Sequence, residues 1–339
     1  MDLRFGVAGW DYPDWRGIVY PAKRPRGFDP LEFASLYVPV IEINRTYYRP
    51  ASVNEARRWL ERVRDRPRFT FTAKLPERFV RPGASWSDDD VREARAGLDL
   101  LHEQGRLAGA VLQFAWSFHR ARKDGSLDQS ARAWLHDVLS AFEGLPLFVE
   151  LRHESWNTPA VVESLRERNV GWVNVDQPQL FKGSMPLTAI ATSPVAYLRM
   201  HGRNYQSWGK GLGRRRKKVG EPPPKPTPEE RKAAEAQKNA RFDYLYSERE
   251  LRALAVEVER LEEAPGVEAV ISIHNNHARG QAFANALTLR SLLEGQPVVA
   301  PPELVQTYPD DLAAHATPVS AEQLRTSAGP AQEEGGVSP

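Results

Sequence analysis

Cysteine is missing from all 339 residues. Its absence excludes disulfides, thiol nucleophiles and thiolate zinc sites. Long apolar runs are missing too, and no segment approaches the roughly 20 apolar residues needed to span a bilayer. The N-terminus, Met1-Asp2-Leu3-Arg4, enters a strand-like run at once, without the basic segment and apolar stretch of a signal peptide. A cytoplasmic location is therefore expected. The formal net charge is only +2, so the molecule as a whole is no obvious nucleic-acid or membrane binder. There is no Walker loop, dinucleotide fingerprint, HExxH helix or serine elbow. Gly211-x-Gly213 lacks the later glycine and following helix of a nucleotide site.

What remains is a globular composition, 41% hydrophobic and 27% charged with nine Trp. Length alone allows one large domain or two ordinary ones. Eight apolar runs follow one another: Arg4–Gly9, Val40–Asn44, Phe69–Lys74, Ala110–Phe114, Leu147–Arg152, Trp172–Asp176, Tyr197–His201 and Ile271–Asn276. Seven of them carry polar side chains on one alternating face, toward the C-terminal end of the run. Side chains two apart in a strand share a face. Glu42 thus joins Asn44, Thr70 and Thr72 join Lys74, Glu150 joins Arg152, Asn174 joins Asp176, Arg199 joins His201, and Ser272 and His274 join Asn276.

Helix signals separate the runs. Asp29-Pro30 with Glu32 reads as an N-cap, a first-position proline and an acid in the first turn. Ser52 with Glu55, Ser87 with Asp90 and Ser247 with Glu250 read as capping boxes. Thr158-Pro159 starts another helix, residues 131–142 have helical spacing, and Gly280 and Gly295 bracket the last one.

Strand and helix alternating through about 290 residues argue for a parallel sheet covered by helices. Eight strands favour a closed (β/α)8 TIM barrel over the alternative, a doubly wound open sheet. The polar faces decide between them, because an open parallel sheet is apolar on both faces. The expected organisation is a single domain over residues 1–310, with a basic insertion after strand 7. That insertion, residues 209–240, holds ten Lys or Arg against four Glu, a net of +6 that leaves the remainder at −4. With its prolines it reads as flexible. Residues 313–339 are expected to form a disordered tail, and no internal repeat exists beyond the strand–helix alternation.

Several blocks then stand together. They are Gly9-Trp10-x-Tyr12-x-x-Trp15-x-Gly17 with Tyr20-Pro21, Glu42-Ile43-Asn44-x-Thr46-Tyr47-Tyr48, Phe71-x-x-Lys74, Glu150-x-Arg152-His153-x-Ser155-Trp156, Arg199-x-His201-Gly202-Arg203, and His274-Asn275-Asn276-His277-x-x-Gly280-x-Ala282-x-x-Asn285-Ala286. In this order, from about residue 4 to 310, they resemble the YecE-like family of bacterial TIM-barrel proteins of unknown function. The resemblance implies a TIM barrel and no established reaction. The basic insertion departs from the shorter family pattern.

The residues themselves must then suggest the chemistry. Glu42, Glu150 and Asp176, from strands two, five and six, are candidate acid–base groups, each with ion pairing as its plainer role. His201 is a candidate proton-transfer group. Lys74, Arg152 and Arg199 suit a phosphate or carboxylate, or an internal salt-bridge ring. Asn44, Gln113, Asn275 and Asn276 can orient a substrate. Trp10, Tyr12 and Trp156 are candidates to stack on a sugar or base, or to pack as a cap over the barrel. Parity turns His153 away from Glu150, and the neighbouring cations repel metal, so no metal or cofactor is expected. The expected function is hydrolase-like acid–base chemistry on a phosphorylated sugar or nucleotide-like anion at the C-terminal mouth. One alternative is nucleic-acid contact, with or without strand cleavage, through the basic run in residues 210–218. Another is non-catalytic binding of a small molecule.

Overall fold

The computed structural model describes residues 1–122, 125–209, 227 and 240–327. Eight strands close a barrel in sequence order: β1 (Asp2–Ala8), β2 (Val40–Ile43), β3 (Thr70–Lys74), β4 (Leu107–Gln113), β5 (Leu147–Glu150), β6 (Gly171–Asp176), β7 (Val195–Met200) and β8 (Ala269–His274). Neighbouring strands pair in parallel, and β8 closes on β1 from Asp2↔Ala269 to Val7↔His274. This is the expected (β/α)8 TIM barrel.

The capping signals act where the sequence places them. Asp29 accepts from the amides of Leu31 and Glu32 to start the helix Pro30–Ser35. The three expected capping boxes open the helices Val53–Arg62, Asp88–Glu103 and Glu248–Glu262. Gly280 and Gly295, both left-handed, bracket the helix Gln281–Glu294. Among the described residues no helix is long and apolar enough to cross a membrane.

Strand alternation sorts the apolar residues into two layers. Ala8, Val40, Val111, Phe148, Val173, Val175, Tyr197, Ile271 and Ile273 fill the barrel interior. Val7, Ile41, Phe71, Leu112, Val149, Trp172, Leu198 and Val270 face outward into the larger core under the helices. The same parity divides the polar residues. Glu42, Thr72, Lys74, Gln113, Glu150, Arg199 and His201 continue the inward rows. Asn174, Asp176, Ser272, His274 and Asn276 continue the outward ones.

The lower interior is closed by Phe148. An added Cβ on Gly109 or Gly171 would lie 2.2 or 2.3 Å from the Phe148 ring. These glycines on the flanking strands make the room the ring occupies.

The described part of the expected tail, residues 313–327, is structured rather than disordered. Residues Ala316–Pro318 form β10, which pairs in parallel with β9 (Val298–Ala300) outside the barrel, and the helix Ala321–Ser327 follows. Tyr37 donates to the Val319 carbonyl at 2.9 Å and Arg325 pairs with Glu32 at 3.0 Å, so this segment is fastened to the first helix and its C-terminal end. A composition of small and polar residues concealed these attachments. Residues 328–339 and most of the expected insertion lie outside the described residues.

Replacing Gly109 by Ala is expected to lower stability by roughly 1–3 kcal/mol through overpacking against Phe148. Urea unfolding would measure this, and an unchanged midpoint would show that the Phe148 ring is not held by its neighbours.

Candidate functional site

At the C-terminal end of the barrel, one arginine organises the interior charges. Arg199, on β7, is fully buried. Its Nε and Nη2 donate to the two oxygens of Glu42 at 3.0 and 2.7 Å, and its Nη1 donates to Glu150 at 3.0 Å. An isolated buried charge of either sign costs several kcal/mol, so each group requires the others. Tyr197 donates to Glu42 at 3.1 Å and also meets the Thr72 hydroxyl at 3.1 Å. Gln113 donates to both Glu150 oxygens at 2.9 Å, and Arg152 donates through Nε at 2.6 Å. Burial alone would raise the Glu150 pKa, but Arg152, Arg199 and His201 outweigh it and hold the carboxyl well below its ordinary value.

His201 closes this layer. Its Nε2 lies 3.0 Å from Glu150, 2.9 Å from Arg152 and 3.0 Å from Arg199, and its Nδ1 lies 3.0 Å from the Asn275 amide. Burial and Arg152 keep its pKa well below the usual histidine range, so the ring is neutral at physiological pH.

Above the layer opens a cleft of about 980 Å³. Lys74, Arg152, Gln113, His201, Asn44 and Asn275 line its floor, and Tyr12, Tyr47, Tyr48, Trp208, Phe242 and His277 are among its walls. Tyr12 stacks on His277 with ring centroids 4.2 Å apart. Its hydroxyl donates to the Ala8 carbonyl at 2.6 Å. Burial lowers the His277 pKa to about 4, and its Nδ1 has no partner among the described residues.

The cleft surface is cationic. Lys74, Arg152, Arg45 and Arg241 line it, against Asp14 as the one described carboxylate. Arg45 also pairs with Glu55 at 2.8 Å. Arg241 lies over Phe242 and Trp208 at 4.6 and 5.9 Å from their ring centroids, and its Nε has no hydrogen-bond partner among the described residues. Lys74 is the least firmly paired cation of the floor, with Nζ 3.8 Å from Glu42 and a side chain 12% exposed. Burial first, and then Arg199, lower its pKa from 10.5 to about 7. Among the described residues no group of three His, Asp or Glu could hold a metal ion.

The structure therefore gathers Glu42, Glu150, His201, Lys74, Arg152, Arg199, Asn44, Gln113 and Tyr12 at the mouth. Within that set, Glu42, Glu150 and Arg199 lie one layer below the cleft, saturated by one another and by their neighbours. Asp176 does not reach the mouth. It faces outward, where Arg203 grips it through Nε and Nη2 (Nη2 at 2.6 Å) and the Tyr246 hydroxyl donates to it. Asn276 also faces outward, donating to the Tyr244 carbonyl at 2.7 Å and to Asn285 at 2.8 Å. Strand parity shows which residues share a face but not which face looks inward, and on β6 and β8 the polar face is the outward one, contrary to expectation. Trp10 packs edge-on against Trp59. Trp156 is buried, stacks on Phe118 and donates to its carbonyl at 2.7 Å. Both tryptophans belong to packed layers and not to the cleft.

Arg45 and Arg241 were not foreseen. Arg45 lies within the Glu42–Tyr48 block, just past the strand, where alternation no longer assigns a side. Arg241 directly follows the basic insertion, and nothing in its local pattern separates it from that stretch. Asn204 donates to the Ala240 and Asp243 carbonyls at 3.0 and 2.9 Å, and Trp208 donates to the Arg241 carbonyl at 3.0 Å. These bonds bring Arg241 back to the rim.

A closed parallel barrel with a cationic cleft over a buried ion cluster at its C-terminal end defines a TIM-barrel protein with its polar site in the usual place. The chain belongs to the DUF72 family, whose model, "Protein of unknown function DUF72", matches residues 4–307. A DUF72 family protein from Thermotoga maritima is 28% identical, with a TM-score of 0.66 over 87% of this chain and 100% of that one. A DUF72 family protein from Enterococcus faecalis has the same fold at 21% identity and a TM-score of 0.66, over 86% of this chain and 95% of that one. No curated protein matches the chain.

Two measurements follow. Arg199→Met leaves Glu42 and Glu150 buried without their shared cation and should cost roughly 3–5 kcal/mol, read by chemical denaturation. A variant as stable as the wild type would refute the cluster's interdependence. The second concerns Lys74. Because its folded pKa is depressed, the unfolded chain binds the extra proton between about pH 7 and 10.5. Stability from this group therefore rises with pH across that window. Lys74→Met should flatten the rise in unfolding midpoint between about pH 6 and about pH 9, and an unaltered slope would exclude Lys74 as its source.

Proposed function

We propose that this protein binds a small anionic molecule in the cleft and performs acid–base chemistry on it, with Lys74 as the proton-transfer group. The supporting observation is the separation of charge by depth. Glu42 and Glu150 are buried and engaged beneath the floor, while Lys74, Arg152 and Arg241 face the cleft. A phosphate or carboxylate entering there meets cations whose compensating charges lie out of its reach. Phosphate suits the planar guanidinium groups. The aromatic walls suit the sugar or base of a phosphorylated sugar or nucleotide-like molecule.

The assignment of roles differs from the expectation drawn from sequence. Glu150 accepts from Gln113, Arg152, Arg199 and the His201 side, and a carboxylate so engaged is a weak base. Its place is to orient Arg152 and His201. Lys74, poised near neutrality, has the matched pKa that proton transfer favours. Hydrolysis, the expected reaction class, would use its neutral amine to activate water.

Calorimetry with inorganic phosphate and glucose 1-phosphate tests the anion site. Arg241→Met, which leaves the buried cluster intact, should weaken binding by about tenfold, equivalent to about 1.4 kcal/mol. Equal affinities for wild type and variant, or no binding by either at millimolar concentration, would refute the reading.

A second reading, nucleic-acid contact through residues 210–218, draws on the position of Trp208 and Arg241. They flank the basic stretch and both stand at the cleft. Deleting residues 210–239 should then reduce oligonucleotide affinity and flatten its salt dependence. An unaffected affinity would remove this reading.

A further inference from the structure

We infer that Lys74 is a carbonyl-reactive amine, and that the ligands of this cleft are aldehydes or ketones carrying a phosphate or carboxylate, held as an imine on Lys74 Nζ. The inference rests on the anion-binding reading, replaces the proton-transfer role of Lys74 by a nucleophilic one, and narrows the substrate class.

Its geometric basis is the combination of exposure, loose pairing and like-charged neighbours at one amine. Lys74 ends β3 and lines the cleft, with its side chain 12% exposed. No hydrogen bond within about 3.5 Å constrains its nitrogen among the described residues, and the nearest carboxylate oxygen is 3.8 Å away on Glu42. That oxygen, Glu42 Oε1, already accepts from Arg199 Nη2 at 2.7 Å. A lysine serving structure alone would be expected to close such a pair to about 2.7–2.9 Å. The charged and titratable groups around it are Glu42 from β2, Arg152 and Glu150 from the β5 end, Arg199 from β7, and His277 from the segment after β8. Burial foremost, then Arg199 and Arg152, disfavour the charged amine against the pull of Glu42 and Glu150, so a substantial share of it carries a free lone pair near pH 7. An amine desolvated and placed beside another cation is an established route to an activated lysine nucleophile. Arg152 and Arg241 on the same cleft offer the anionic end of a substrate its partners.

The step balances without an oxidant or reductant. The Nζ lone pair attacks the carbonyl carbon and the C–O π pair moves to oxygen; nitrogen then loses a proton to solvent and the alkoxide gains one from it, giving a neutral carbinolamine. Protonation of that hydroxyl lets it leave as one water, and the nitrogen lone pair forms the C=N bond. Hydrolysis reverses the sequence. The resulting protonated imine withdraws electrons from the adjacent carbon, which eases removal of a proton there or cleavage of a carbon–carbon bond.

Incubation of the full chain with glyceraldehyde 3-phosphate, followed by sodium borohydride and peptide mass mapping, tests this. The expected product is a secondary amine on Lys74, with competition by inorganic phosphate and a labelling rate that rises with pH through a midpoint near 7. Lys74→Arg keeps a cation but has no such amine, and it should lose the adduct at this position while other lysines label slowly and without phosphate protection. If glucose 1-phosphate binds to the wild type and Lys74 is not trapped, the imine is refuted and the anion site stands. If neither binding nor trapping occurs, both fail. Trapping on Lys74 that phosphate does not suppress, or that shows the pH midpoint of an ordinary lysine, would also overturn the inference.

Discussion

The bidentate grip of Arg199 on Glu42, extended by its third nitrogen to Glu150, is the constraint on which the upper barrel depends. Neither carboxylate could remain charged at this depth alone, and the guanidinium could not enter the barrel without them. The cluster ties β2, β5 and β7 across the interior, where an apolar plug would pack more cheaply. Buried ionic groups are often neutral or unfavourable for stability compared with well-packed hydrophobic residues. Their use here is consistent with a positioning role, because they fix the residues directly above them.

Those residues acquire their properties from the layer below. Arg152 is oriented by Glu150, and His201 is wedged neutral between Glu150 and two guanidinium groups. Lys74 is left with a share of Glu42 that Arg199 has already claimed. The unusual state of the lysine thus comes first from its burial and then from the charge order beneath it. The aromatic rim adds a second constraint by limiting solvent around the amine. Tyr12 on His277 forms part of that rim, anchored through Trp15, whose indole donates to the His277 carbonyl at 2.6 Å.

Much of this was legible in the sequence because barrels repeat simple rules. The caps at Asp29, Ser52, Ser87 and Ser247 are local, so their hydrogen bonds could be read from residues three apart. The convergence of Glu42, Lys74, Glu150, Arg152 and Arg199 followed from placing polar residues at the C-terminal ends of parallel strands. Asp176 and Asn276 mark where that reasoning stopped. A strand pattern has two faces, and a buried polar residue fits either if the layer outside offers partners. Asp176 finds Arg203 and Tyr246 there, and Asn276 finds Asn285. Trp156 was equally ambiguous, since an indole serves a ligand wall and a packed core with the same chemistry. Arg241 was illegible because only tertiary bonds from Asn204 and Trp208 return it to the cleft.

Those tertiary bonds have an evolutionary implication. Asn204 clasps Ala240 and Asp243 while Trp208 holds Arg241, so the excursion leaves and rejoins the barrel at a stitched neck. With its ends already joined, lengthening or shortening the excursion changes the closure entropy only logarithmically. The scaffold can therefore accept different sequence grafts at this position without disturbing the ion cluster, each graft starting and ending beside the cleft that holds the lysine.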